Sequence, residues 1–150
     1  MKLRILIVIP LSLFFSNGQT STTFVHCYDF GCKSHQSVEF NSEQWVQISA
    51  LFTANHNGYE EKQSLRKAIA LMEHFSGELT GTSLDVGGNY PGSDIPKQMD
   101  CIDESTNTFQ YLYAIEALNL LKWHTVGLKE RRIVWFISHW TAVIEETNTK

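Results

Sequence analysis

The chain has 150 residues, 43% of them hydrophobic and 19% charged, and its 12 Lys and Arg against 16 Asp and Glu give a formal net charge of −4. That length and apolar content support one core and one domain. The acidic balance, with no basic stripe, argues against partners held through phosphate electrostatics, so neither nucleic acid nor an anionic membrane surface is expected.

At the start, Lys2 and Arg4 precede an apolar run over 5–15, and Ser16-Asn17-Gly18 follows with small residues ahead of Gln19. This is the order of a secretory signal peptide over 1–18, cleaved to leave one domain over 19–150 in the periplasm or outside the cell. The run is roughly 11 residues where a bilayer span needs about 20, so no integral membrane segment is expected after cleavage. Bulky Phe24-Val25-His26 before Cys27 argues against lipidation at that cysteine.

Export places the thiols in an oxidising compartment, where Cys27 and Cys32, separated only by Tyr28-Asp29-Phe30-Gly31, are expected to pair. On the chain-entropy account, closing so short a loop stabilises the fold by about 2 kcal/mol. A zinc knuckle from His26, Cys27, Cys32 and His35 has the wrong spacing, and no metal or other cofactor is expected. The pairing leaves Cys101 as the odd thiol.

Asn41, with Gln44 three residues later, forms a capping-box signature that opens a helix through about Thr53, with Trp45, Ile48 and Phe52 on its apolar stripe. A second helix is predicted from about Glu60 to Phe75, carrying Leu65, Ile69, Met72 and Phe75 on one face, with Gly77 just beyond its end. The two form a helical hairpin. Gly77 to Gln98 reads as a breaker-rich loop, a candidate lid or substrate wall. A third, central helix is predicted from Cys101 to about Leu121, with a broad apolar face. Strands follow over Trp123–Leu128 and Ile133–Glu145, joined by Lys129-Glu130-Arg131-Arg132. The expected class is α+β: a helical hairpin, a buried helix and a small antiparallel sheet.

Cys101 falls at a helix N-terminus, where unpaired N–H groups and the helix dipole favour a thiolate. His139 opens a strand later in the chain, where it could serve as the thiol's general base. Asp100, Asp103 and Glu104 crowd the sulfur with negative charge, which opposes ionisation. Glu78 and Asp85 flank the glycine-rich segment as a possible carboxylate pair, though nothing in the sequence fixes their separation. His56, His74 and His124 read as surface or packing residues.

Asp100-Cys101 with His139-Trp140-Thr141-Ala142-Val143 resembles the papain-like superfamily in its bacterial branches, the transglutaminase-like cysteine proteinases and the NlpC/P60 cell-wall peptidases. The longer stretch Met99-Asp100-Cys101-Ile102-Asp103-Glu104-Ser105-Thr106-Asn107-Thr108, with the Cys27-Cys32 segment and Gly87-Gly88-Asn89, resembles a family of exported bacterial proteins of unassigned function. The resemblance implies a papain/transglutaminase-like fold and a hydrolase or transferase acting on a peptide or protein substrate. Cys101 would be its nucleophile, His139 its base, and Gln98 or a backbone N–H its oxyanion donor. It also implies a further strand carrying a third residue behind the imidazole. This sequence ends at Asn148-Thr149-Lys150 without one, so relative to that family it is expected to be truncated. The alternative is a non-catalytic exported envelope module that binds a protein partner through the glycine-rich segment and exposed aromatics.

Overall fold

The computed structural model describes residues 22–88, 95–135 and 137–147. The leader expected over 1–18 and the Asn89–Asp94 part of the glycine-rich segment lie outside them. Two strands open the domain, β1 (Thr23–Tyr28) and β2 (Ser34–Glu39), paired antiparallel with Phe24 opposite Val38 and Cys27 opposite His35. Three helices follow, α1 (Ser42–Ala50), α2 (Gly58–Thr80) and α3 (Cys101–Ala117). Four short strands close it: β3 (His124–Val126), β4 (Glu130–Val134), β5 (Ile137–Thr141) and β6 (Ile144–Glu146). The β3 strand pairs with β6, and β4 pairs with β5, both antiparallel. The class is α+β.

Local chemistry explains the helix starts. Asn41 and Gln44 exchange side-chain to backbone bonds at 2.9 Å in the capping box that the sequence predicts, a device contributing about 1 kcal/mol. Asn57 caps α2 through the Glu60 N–H. That helix runs one turn past its expected end and stops at Gly81, whose φ of 78° is the left-handed cap conformation that glycine adopts without penalty. Gly77 is therefore not a stop. A Cβ there would come within 3.0 Å of Ser83 Oγ and 3.3 Å of its backbone N, so glycine allows the chain after α2 to fold back against the helix.

The core joins the first hairpin to the three helices. Phe24 and Phe40 meet edge-to-face at 5.1 Å, Phe24 and Tyr111 at 5.4 Å, and Phe40 and Phe75 at 5.6 Å. Each such pair adds about 0.5–1.5 kcal/mol to simple burial. Ile48, Leu65, Met72 and Ile115 fill the space between with no more than 2% of their surface exposed. The β1 strand lies along α3, and β5 packs on α3 as well. Asn107 fixes the first of these contacts: its Oδ1 accepts the Cys27 N–H at 2.7 Å and its Nδ2 donates to Cys27 O at 3.0 Å.

A buried carboxylate stands near the start of α2. Glu61, fully buried, accepts the backbone N–H groups of Lys122, Trp123 and His124 at 2.7–3.0 Å and lies 3.0 Å from His124 Nδ1. One carboxylate thus fixes the entry to β3, and His124 is the packing residue that its sequence setting implies.

The last third of the chain differs from expectation in detail. The expected strand over Ile133–Glu145 is broken at Trp135 and again at Ala142-Val143, and the charged run expected as a connector forms the start of β4. Both faces of β4 over 130–133 are exposed, so no apolar alternation marks it. The α3 helix ends at Ala117 rather than Leu121, with Leu118 as its cap.

Candidate functional site

Asp100 is the N-cap of α3. Its Oδ1 accepts from Ile102 N–H at 2.9 Å and Asp103 N–H at 3.1 Å, while Asp103 Oδ2 accepts Asp100 N–H at 3.1 Å. Asp103, fully buried, also accepts the Cys32 N–H through Oδ1. Burial pushes its carboxyl up and the backbone donors pull the other way. Two of the three acids around Cys101 are thus engaged by backbone N–H groups rather than left facing the sulfur.

Cys27 and Cys32 form a disulfide, and Cys101 is the free thiol, half-buried as the first residue of α3. With Asp100 taking the N–H groups of Ile102 and Asp103, the Cys101 N–H has no acceptor among the described residues. Thiol and unbonded N–H leave the helix from one residue. His139 is exposed on β5, opposite Arg132 of β4. It is close enough to Glu104, one helical turn beyond Cys101, for its charge to pull that carboxyl down. Partial burial, the largest influence, raises the Glu104 carboxyl, as do Asp85, Asp100 and Asp103. Among the described residues no hydrogen bond joins Cys101 to His139.

Gln98 is almost wholly buried and acts as a staple. Its Nε2 donates to Leu84 O at 3.1 Å and its Oε1 accepts Val86 N–H at 3.1 Å, while its own carbonyl accepts Asp29 N–H at 2.8 Å. Lys97 N–H donates to Asp29 Oδ1, and Met99 N–H donates to Asp85 Oδ1 at 2.7 Å. The segment entering α3 is thereby stitched to the disulfide loop on one side and to the turn after α2 on the other. Asp29, Phe30, Gly31 and Cys32 all have φ between 57° and 75°. Three non-glycine residues in that region cost roughly 1–2 kcal/mol each, and the disulfide and these hydrogen bonds hold them there.

No family model, curated protein or solved structure matches this chain. The chemistry must be read from its own side chains.

A cleft of about 420 Å³ opens beside the same segment, lined by Glu73 and His74 of α2, by Thr82, Ser83 and Asp85 of the following turn, and by Met99. Glu78 does not face Asp85 across it. Glu78 is exposed and lies 3.5 Å from His74 Nε2, so the carboxylate that shares the cleft with Asp85 is Glu73. Burial raises the Glu73 carboxyl first, the hydrogen bond from Tyr111 pulls it down, and Glu104 and Asp85 raise it further. Among the described residues no three His, Cys, Asp or Glu side chains are grouped to hold a metal.

Behind Glu73 runs a relay of polar groups. Tyr111 Oη donates to Glu73 Oε2 at 2.8 Å, Tyr111 Oη and His26 Nδ1 are hydrogen-bonded at 3.0 Å, and His26 Nε2 and Thr82 Oγ1 at 3.1 Å. Thr82 Oγ1 meets Thr80 Oγ1 at 3.0 Å, and Thr80 Oγ1 donates to Ser76 O at 2.7 Å. Burial lowers His26 to about 4 and pushes the Tyr111 phenol far up. The sequence singles out neither Glu73 nor Tyr111, and His26 stands out there only as part of a zinc knuckle of the wrong spacing. One signal was present: Glu61, Leu65, Ile69 and Glu73 form an i, i+4 row on α2, so two acids stand at the ends of an apolar stripe.

Proposed function

We propose that this chain is a cysteine-nucleophile hydrolase or transferase acting on peptide or amide bonds outside the cytoplasm. The observation that carries the reading is Cys101 itself, a free thiol on the first residue of a 17-residue helix, whose own N–H has no acceptor among the described residues. A carbonyl placed against that helix end would meet a nucleophile and an oxyanion donor from one residue, with the helix dipole favouring negative charge on both. The thiolate attacks the carbonyl carbon, the C–N bond breaks and a thioester forms, which water or an acceptor amine then takes. His139 is assigned as the base, and Glu104 as the carboxylate facing the imidazole, a role the sequence did not suggest. The leader-like N-terminus and the Cys27–Cys32 disulfide support an extracytoplasmic setting.

A second reading, a non-catalytic module binding a protein partner, draws on the β4–β5 hairpin. There Ile133 is 66% and Trp135 88% exposed, with Leu128 nearby at 85%. One measurement separates the two: the rate at which iodoacetamide alkylates Cys101 in the folded protein, followed against pH. The enzyme reading expects Cys101 to react at least about tenfold faster near neutral pH than a model thiol of ordinary pKa, with the advantage lost in His139→Ala. Alkylation no faster than the model thiol, and indifferent to His139, leaves only the binding module.

A further inference from the structure

The register of the β4–β5 hairpin decides which backbone groups lie on its open edge. Val134 pairs with Ile137, which leaves two residues for the turn, and Trp135, the first of them, has the φ of 59° that such turns require. A closing pair of this kind exchanges both of its backbone bonds, and bonded and unbonded pairs alternate from there along an antiparallel ladder. Arg132 is therefore bonded to His139 and Glu130 to Thr141, while Arg131 and Ile133 fall between them. The N–H and C=O groups of Arg131 and Ile133 point away from β5, and none of the four meets a partner among the described residues.

We propose that this edge of β4 is a docking site for an extended acidic peptide, which adds to the hairpin as a third strand. Charge chooses the occupant. Lys129, Arg131 and Arg132 stand within four residues of a chain whose net charge is −4, with Glu130 as the one acid among them. Both arginines are exposed. Arg132 lies 3.9 Å from Glu130, and Arg131 meets no carboxylate among the described residues. Access agrees with charge, because β5 lies against α3 whereas both faces of β4 over 130–133 are exposed. A second copy of this chain fits less well: a symmetric β4 pair would set the two arginines beside their own copies, and like charges across a ladder are destabilising. A membrane surface offers the edge no row of backbone groups.

The side chains refine the partner. Successive residues of a strand point to opposite faces, so Arg131 and the exposed Ile133 share one face and Arg132 stands on the other. A docked strand that sets an acid beside each arginine carries two consecutive acids, and the residue next to them on the Trp135 side falls beside Ile133 and is apolar. Backbone bonds to Arg131 and Ile133 supply affinity, and these three side chains supply specificity. The inference rests on the hairpin of the second reading above and not on the chemistry of Cys101. The alkylation rate therefore judges the enzyme, and a peptide titration judges the edge.

The test is an NMR titration of the full chain with the blocked peptide acetyl-Thr-Ile-Glu-Glu-Ile-Thr-amide, a palindrome that presents an apolar residue beside two acids in either strand direction. At saturation the amide hydrogens of Arg131 and Ile133 are expected to exchange with solvent at least about tenfold more slowly, while that of Arg132, already bonded to β5, changes little. The lysine peptide acetyl-Thr-Ile-Lys-Lys-Ile-Thr-amide is expected to give no protection. Joint replacement Arg131→Glu and Arg132→Glu is expected to weaken binding of the acidic peptide at least about tenfold. No protection by the acidic peptide, or equal protection by both peptides, overturns the proposal.

Ile133→Pro separates strand addition from attraction between charges. The N–H it removes points outward, so no bond to β5 is lost, and proline is tolerated on an edge strand. Peptide binding is expected to disappear while the Arg132 amide stays as protected as before. The same peptide N-methylated at both glutamate nitrogens puts the question without altering the protein, because one of two consecutive amides must face β4 in any register. Binding that survives either change means that the arginines hold the peptide by charge alone and that no strand is added. Protection of Arg131 and Ile133 that rises with protein concentration alone would make the occupant a second copy. Phosphatidylglycerol vesicles that bind the protein when the peptide does not would make it a membrane, and either result overturns the proposal.

Discussion

The two ends of α2 carry the same residue to opposite purposes. Glu61 and Glu73 lie on one i, i+4 row, about 18 Å apart at the helical rise. At the first end, three backbone N–H groups and the His124 ring surround the carboxylate, and no solvent reaches it. At the second, one phenol meets the carboxyl, two further acids stand nearby, and a cleft opens in front. What separates the two carboxylates is the number of hydrogens offered to each. A carboxylate that meets enough donors can remain an anion inside a protein, whereas burial pushes up the carboxyl of one that meets few.

The comparison can be broken first at Glu61. Glu61→Ala leaves three backbone donors and an imidazole without an acceptor in the interior, and the expected loss is about 3–5 kcal/mol in a denaturant titration. A loss below about 1 kcal/mol would mean that β3 finds other acceptors and that donor count is the wrong measure. Asn107 sharpens the scale from between, because it serves two backbone groups and the Met99 sulfur rather than three backbone groups and a ring. Asn107→Ala strands the N–H and C=O of Cys27 and should cost about 2–3 kcal/mol in the same assay.

The smallest effect belongs to the Glu73 end and appears as a pH dependence. His26 has its ordinary value of 6.5 when unfolded and about 4 when folded, so below pH 6.5 the unfolded chain takes up a proton that the native protein refuses. Stability should therefore fall as pH drops from 6.5 towards 4. Glu73 acts with the opposite sign. Its folded value is raised above the ordinary 4.5, so its contribution is complete below that pH and is lost as pH rises towards the folded value. In His26→Phe the acid-side loss should disappear and the Glu73 decline should remain, read as the denaturant midpoint across this range. A wild-type midpoint that does not fall on acidification would show that His26 is protonated in the fold.

How much of this was legible follows from the range over which each signal acts. The helix starts could be read because a cap and its partner are three residues apart, as with Asn41 and Gln44. The disulfide was legible for the same reason. The first hairpin was not, because β2 buries only Val38 and offers no alternation to read. Gly77 suggested a helix end because glycine is common there, but its role depends on Ser83, which only the folded chain brings near. Cys101 and His139 were named as candidates from local setting, yet Glu104, which lies between their surroundings, was counted only as a liability. The relay was invisible in sequence because His26 meets Tyr111 across 85 positions and Thr82 across 56. Polar networks of that kind have no period.

Asn107 also affects how this protein behaves beside copies of itself. A two-stranded hairpin has two open edges, and a strand from another molecule can add to either one. Near the end of β1 the donor and acceptor of Cys27 are already held by an amide from a helix. An incoming strand would have to displace that side chain and the α3 surface behind it before gaining its first pair of bonds. A single asparagine thus gives the hairpin a closed border, and growth by strand addition is blocked there without a proline, a bulge or a surface lysine.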